Sequence, residues 1–299
     1  MLKRIITGII IGGVVFLILW IAGLKGEYTL FVFDAFILAL GAIASYEIYT
    51  AVKKADVTVK EGRQGYNISA ISIIVMVVIT FPLCYFLKYA GLFLALIISF
   101  VTAFIVYIFD QEKTFNDFAV NVFALIYPMG ILGLIFIMDR QWGLIPVVLA
   151  MGISMVSDTM ALFVGKAFGK KKIFPKISPK KTYAGCIGGL IGGAIGGVIV
   201  YLIFELGKFP TYSGAIVPEL FAFSSISSIP VVWYAVIGLV IAVFSEIGDL
   251  AASRVKRCVG IKDYGKILGS HGGILDRIDS ILFTTVCMAI IMEIIELCI

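Results

Sequence analysis

Apolar runs about twenty residues long follow one another along almost the whole chain, and this feature limits the fold more than any other. They lie at approximately 5 to 23, 29 to 51, 67 to 87, 90 to 109, 117 to 138, 143 to 165, 184 to 206, 231 to 251 and 274 to 298. A hydrocarbon core about 30 Å thick is crossed by about 20 residues of helix. Backbone groups in lipid must bond internally, so only helices or a closed barrel can span it. These runs are continuously apolar rather than alternating, which excludes barrel strands. The expectation is an all-α, polytopic membrane protein with about nine transmembrane helices, forming a single integral membrane domain over residues 1–299. A soluble domain is excluded, because 61% of the residues are apolar and only 14% charged. The opening MLKRIITGIIIGGVVFLILWIAG has the charged start of a signal peptide. Its run is long and no A-x-A site follows, so it is expected to be an uncleaved first span.

The basic residues set an orientation. With the N-terminus in the cytoplasm, the inner side receives Lys3, Arg4, Lys53, Lys54, Lys60, Arg63, Lys113, the lysines from 166 to 181 and the Lys and Arg residues from 254 to 277. Only Lys25, Lys88, Arg140 and Lys208 fall outside, a bias that predicts N-in and C-out. An even number of spans would put one of the large basic loops on the wrong side. The net charge of +5 is therefore mostly a topology signal, and no nucleic-acid partner is implied. The five cysteines are scattered without a C-x-x-C pair and read as reduced thiols.

Chemistry concentrates in two segments. The first, Ser253 to Asp279, reads SRVKRCVGIKDYGKILGSHGGILDRID and sets six cations, three acids and the lone His271 between two apolar runs. Upstream of it, at 100° per residue, Glu246, Asp249, Ser253 and Lys256 share one quadrant of a helix. Downstream, Asp276 and Asp279 are three apart and stack on one face if a helix starts near Gly273, whose first turn would offer free N–H groups to an anion. Carboxylates beside clustered cations suit a divalent ion with a polyphosphate. The second segment runs from Ser154 to Gly189. Its Asp158 lies inside a span, where a carboxylate costs about 2.5 to 3.5 kcal/mol and marks a functional position. Its lysines also suit an inner-leaflet anchor, each being worth about 1 kcal/mol near anionic lipid. Glycines 188, 192 and 196, and again 189, 193 and 197, predict a close packing face, within the chain or between the copies of a homodimer. Glu47, Glu293 and Glu296 read as interfacial polar groups.

The pattern S-x-x-K-R-x(4)-K-D-x-G-x(2)-L-x-S-H-G-G-x-x-D-R-x-D, unbroken from Ser253 to Asp279, resembles the signature of the phosphatidate cytidylyltransferases, or CDP-diglyceride synthases. The segment from Ser154 to Gly189 is similar to the same family in its S-D-T, G-K-x-F-G-K and I-S-P-K-K-T elements, with Ala184 where the family usually has Glu. The resemblance implies that CTP and phosphatidate give CDP-diacylglycerol and pyrophosphate, on the cytoplasmic face of a bacterial inner membrane and amid membrane lipid.

Under that resemblance Asp249, Ser253, Lys256 and Asp276 are the catalytic candidates. Asp249 and Asp276, with Asp279 as a third, are the candidate ligands of a magnesium ion (Mg2+), with room for a second cation. Arg257, Lys262, His271, Arg277 and Asp158 are candidate substrate contacts. A CTP-dependent polyprenol kinase would use similar cations, with transfer of the γ-phosphoryl group as the distinguishing outcome. A secondary transporter would explain Asp158 and Asp249 but would show internal repeats, and none is evident.

Overall fold

The computed structural model describes residue 17 and residues 27–54, 65–203, 230–269 and 272–298. Among these residues the regular structure is helical: α1 (Glu27–Lys53), α2 (Ala70–Phe109), α3 (Phe115–Leu125), α4 (Ile131–Trp142), α5 (Leu144–Phe168), α6 (Tyr183–Tyr201), α7 (Pro230–Cys258) and α8 (Leu275–Cys298). A π-helical turn, Ile126–Gly130, joins α3 to α4. Pro128 within it lacks the N–H that the α-helical ladder needs, and the wider turn absorbs that gap. Among the described residues seven runs are long and apolar enough to cross a membrane, with Phe115–Trp142 as one of them. Apart from Leu17 and Pro230, the expected first span and the connection from 207 to 230 lie outside the described residues.

At 40 residues α2 would measure about 60 Å if straight, twice the hydrocarbon thickness. It is folded instead. Lys88 has φ 51° and ψ −127°, and a Cβ at Gly91 would strike the Leu83 carbonyl, a contact that residues eight apart in one straight helix cannot make. A Cβ on Gly133 would meet Thr80 and Leu92, and one on Gly130 would meet Met76 and Leu96. Numbers rise along one arm as they fall along the other, so the arms are antiparallel. The apolar runs at 67 to 87 and 90 to 109 are these two arms, turned at Lys88.

The chain groups into two compact units. The first takes Val32–Ile137 and Val255–Ile278. Its core includes Phe33, Ile37, Ile48, Met76, Met129 and Phe136, all 1% exposed or less. Phe81 packs edge-on against Phe136 with centroids 5.5 Å apart. Entry into α2 is tied to α3 by polar bonds: Asn67 N donates to Asp117 Oδ1 (2.8 Å), Ser69 N to Asn121 Oδ1 (3.2 Å), and Asn121 Nδ2 to Ser72 Oγ (2.9 Å).

The second unit takes Met138–Arg254 and Asp279–Ile299, with Leu17–Phe31. Its centre is α6, and the two glycine rows of that helix serve different neighbours. Cβ atoms at 188, 192 and 196 would meet Val164, Met160 and Ile153 of α5, while those at 193 and 197 would meet Ala242, Gly238 and Tyr234 of α7. Without side chains, α6 lets both backbones approach closely, which is how helices gain packing energy in lipid. Both rows are thus filled within the chain. Ser154 and Ser245 hydroxyls lie 3.0 Å apart, and Thr284 Oγ1 donates to the Ala150 carbonyl at 2.9 Å.

Candidate active site

In the second unit the acids of α7 meet a lysine from the basic loop. Glu246 and Asp249 are three apart on one face of α7, and the Lys181 ammonium lies 2.6 Å from Glu246 Oε2 and 2.8 Å from Asp249 Oδ2. It also donates to the Glu246 backbone carbonyl at 3.1 Å. The loop is built to present this one lysine. Ile173 N donates to the Lys181 carbonyl (3.2 Å) and Tyr183 N to the Lys171 carbonyl (3.1 Å), while Thr182 caps α6 by accepting from Gly185 N at 3.1 Å. Lys166, Lys170, Lys171, Lys172, Lys176 and Lys180 are exposed, whereas the Lys181 side chain is 16% exposed. Burial alone would lower the Lys181 pKa, but Asp249 and Glu246 together outweigh it and hold the pKa above its ordinary value.

Gly189 leaves space for Glu246, since a Cβ there would crowd Oε1. Asp158 of α5 stands within the field of Asp249, Glu246 and Lys181 and accepts a hydrogen bond from the Ser280 hydroxyl. Three carboxylates therefore face one ammonium, an excess of hard oxygen donors and negative charge. Ser253 follows one turn after Asp249 on α7 and is half-buried.

In the first unit the signature loop folds around Asp276. Its Oδ1 receives Lys256 Nζ at 2.9 Å, and its Oδ2 accepts from Tyr264 N (2.8 Å) and Gly273 N (3.0 Å). The Asp276 side chain is 4% exposed, and Lys256 also lies over the Tyr264 ring, 5.3 Å from its centroid. Gly269 and Gly272 have φ of 58° and 81°, values that favour glycine, and a bond from Leu268 N to the Gly272 carbonyl (3.0 Å) closes the turn. Arg257, Lys262 and Arg277 are exposed around it. The start of α8 departs from expectation, because its N–H groups are not free for an anion. Gly273 N is taken by Asp276, while Ile274 N and Leu275 N donate to Glu47 Oε1 (3.1 Å) and Oε2 (2.8 Å).

Asp158, Asp249, Ser253 and Asp279 fall in the second unit, and Lys256, Arg257, Lys262, Asp276 and Arg277 in the first. His271 lies outside the described residues. Asp279, three residues after Asp276, is buried, and its Oδ1 accepts from Ser280 N at 2.9 Å. Three participants escaped the candidate list. Lys181 was hidden in a run that also suits lipid anchoring. Glu246 was on the right face but unassigned. Glu47, read as interfacial, is 2% exposed because it is consumed by the α8 start. Glu296 accepts from Trp142 Nε1 at 2.7 Å and Gln141 Nε2 at 3.0 Å.

A family profile described as the cytidylyltransferase family matches residues 2–295. The chain belongs to the cytidylyltransferase family. This cytidylyltransferase is 31% identical over 294 residues to a phosphatidate cytidylyltransferase of Bacillus subtilis (strain 168), covering 95% of this chain and 94% of the relative. It is 27% identical over 261 residues to one of Thermotoga maritima, covering 86% of each. With one of Staphylococcus aureus (strain COL) it shares 30% identity over 194 residues, 65% of this chain and 66% of the relative.

The donor set of the cytidylyltransferase suits a divalent cation. Of the two acids paired with Lys181, Asp249 is the more open, with a side chain 32% exposed against 11% for Glu246. Among the described residues no group of three or more His, Cys, Asp or Glu closes around a metal by itself. A magnesium ion would ask only one or two carboxylates of the protein, taking its other oxygens from phosphate and water.

Proposed function

We propose that this cytidylyltransferase joins CTP to phosphatidate, giving CDP-diacylglycerol and pyrophosphate. The observation that carries this reading is the near end-to-end match to a phosphatidate cytidylyltransferase, over 95% of the chain. Clustered carboxylates and cations supply the chemistry that two anionic substrates require.

In the proposed reaction an oxygen of the phosphatidate monoester attacks the α-phosphorus of CTP. A new P–O bond forms, the bond from the α-phosphorus to the bridging oxygen breaks, and pyrophosphate leaves with that electron pair. No protein nucleophile is needed; the protein's task is to bring two anions together and to balance their charge. We assign Asp249, Ser253, Lys256 and Asp276 to the transfer, and Arg257, Lys262, His271, Arg277 and Asp158 to substrate contacts. Asp249 and Asp279 of the second unit, and separately Asp276 of the first, are the carboxylates proposed for magnesium; Asp276 would have to exchange its bond to Lys256 for the ion. Once bound, that ion would neutralise phosphate charge and template the substrates. Lys181 holds Glu246 and Asp249 in place and keeps two neighbouring acids from repelling each other.

The protein is an integral membrane protein. We assign it to a bacterial inner membrane, with its basic loops in the cytoplasm where CTP is. The deciding experiment incubates purified protein with phosphatidate and CTP labelled at either the α- or the γ-phosphate. Label from the α-position is expected in lipid and label from the γ-position in pyrophosphate. Appearance of γ-label in lipid would replace this reading with that of a CTP-dependent kinase.

A further inference from the structure

We infer that Glu47, on α1, is a positioning residue that holds the Asp276–Lys256 pair in its working geometry. The inference rests on the assignment of Asp276 and Lys256 to the transfer. The Glu47 carboxylate is 2% exposed and accepts from Ile274 N at 3.1 Å and Leu275 N at 2.8 Å. The preceding N–H, that of Gly273, goes to Asp276 Oδ2 at 3.0 Å. Three successive backbone donors at the start of α8 are thus divided between one acid inside the signature and one 227 positions away. The loop is shaped to receive that distant acid. Gly265 and Gly273 both face the Glu47 carboxylate so closely that a Cβ on either would collide with it.

Helix starts usually satisfy these donors with a local Ser, Thr, Asp or Asn cap. Here a carboxylate from another helix does so, at the end of α8 where negative charge is favoured. The turn that aims Asp276 Oδ1 at Lys256 Nζ is the same turn that Glu47 grips. A shift of Glu47 therefore moves Asp276 relative to its lysine without removing any group that touches substrate. Glu47→Gln keeps the volume, but it removes the charge and turns an amide N–H toward a backbone N–H. Glu47→Asp keeps the charge and withdraws it by one methylene.

The test compares the full-length wild type, Glu47→Gln, Glu47→Asp, Asp276→Asn and the double variant Glu47→Gln/Asp276→Asn, with turnover measured alongside thermal unfolding of each purified protein. Glu47→Gln is expected to lower kcat by about 10- to 100-fold, the scale of a small misplacement of catalytic groups, at an unchanged KM for CTP and in folded protein. Glu47→Asp is expected to recover part of that loss. In the Asp276→Asn background, Glu47→Gln should cost less than about 3-fold more, because both act through one geometry. Wild-type turnover in Glu47→Gln while Asp276→Asn is inactive overturns this inference alone, as does full multiplication of the two losses. Wild-type turnover in Asp276→Asn overturns the underlying assignment and this inference with it. If Glu47→Gln does not accumulate, Gly273→Ala crowds the same carboxylate from the loop side and is read by the same criteria.

Discussion

Lys181 Nζ lies 2.8 Å from Asp249 Oδ2, so the basic loop and the acidic face of α7 form one charge cluster. Removing the lysine leaves Glu246 and Asp249 adjacent and uncompensated. Lys181→Ala is expected to cost about 1 to 3 kcal/mol of stability, less than the ~3 to 5 kcal/mol for breaking a fully buried pair because Asp249 is partly open. It should also lower turnover by roughly 100-fold, since charge balance around the phosphates is lost with it. Lys180→Ala, at an exposed neighbour, should change neither. Thermal unfolding and turnover of the two variants check this.

The same cluster fixes a pH dependence. The Lys181 pKa is raised above its unfolded value of 10.5: burial opposes the charge, and Asp249 and Glu246 more than offset it. Its stabilising contribution is then fully present below that unfolded value and is lost as pH rises through the higher folded one. Wild type and Lys181→Met should differ by a constant stability between about pH 6 and 9 and converge only in strong alkali. A gap that closes near neutrality would contradict the pairing.

For the carboxylates proposed to serve magnesium, Asp249→Asn and Asp276→Asn keep side-chain size and lose charge. Turnover should fall by at least about 100-fold in each and should not return with more CTP, because the lost interaction includes charge developing during transfer. Titrating magnesium against turnover in folded variants decides it. Wild-type turnover with wild-type magnesium dependence in either would refute that variant's assignment.

Packing around α6 gives a prediction independent of chemistry. A Cβ at Gly197 would run into the Tyr234 backbone, which cannot swing aside, whereas Gly152 has its nearest neighbour 4.0 Å away at Val148. Gly197→Ala should cost about 1 to 3 kcal/mol, and Gly152→Ala should raise stability by about 0.5 to 1 kcal/mol. Thermal unfolding of the two variants measures the contrast.

Orientation is testable by single cysteines in a background lacking the native ones. A cysteine at position 262 should resist an impermeant reagent in intact cells and react after the membrane is opened. Labelling in intact cells would reverse the proposed topology.

Helices were readable from the sequence because apolar runs of this length in lipid have few alternatives, and the two runs at 67 to 87 and 90 to 109 recur as the arms of α2. The turn between them falls in the gap the sequence left from 87 to 90; it is made at Lys88 rather than at a glycine or proline, with Gly91 supplying the close approach to Leu83. Three-residue spacing was enough to put Glu246 and Asp249 on one face. Their partner was not legible: Lys181 pairs with Glu246 across 65 positions and is one of several lysines in its loop, with no local pattern to separate it from the exposed ones. Glu47 was read as interfacial for a related reason. A lone acid near a helix end shows nothing of donors that arrive from the far end of the chain.

That long reach from Glu47 to Ile274 and Leu275 also orders the protein's biosynthesis. Helix α1 is made before its partners at 274 and 275, the first of which follows Glu47 by 227 positions. Until α8 is made the carboxylate has no grip on the signature loop, so a chain halted before that helix has no assembled loop. Contacts this distant in sequence carry the full cost of closing a long loop, so the grip on the signature loop can form only once α8 has joined α1.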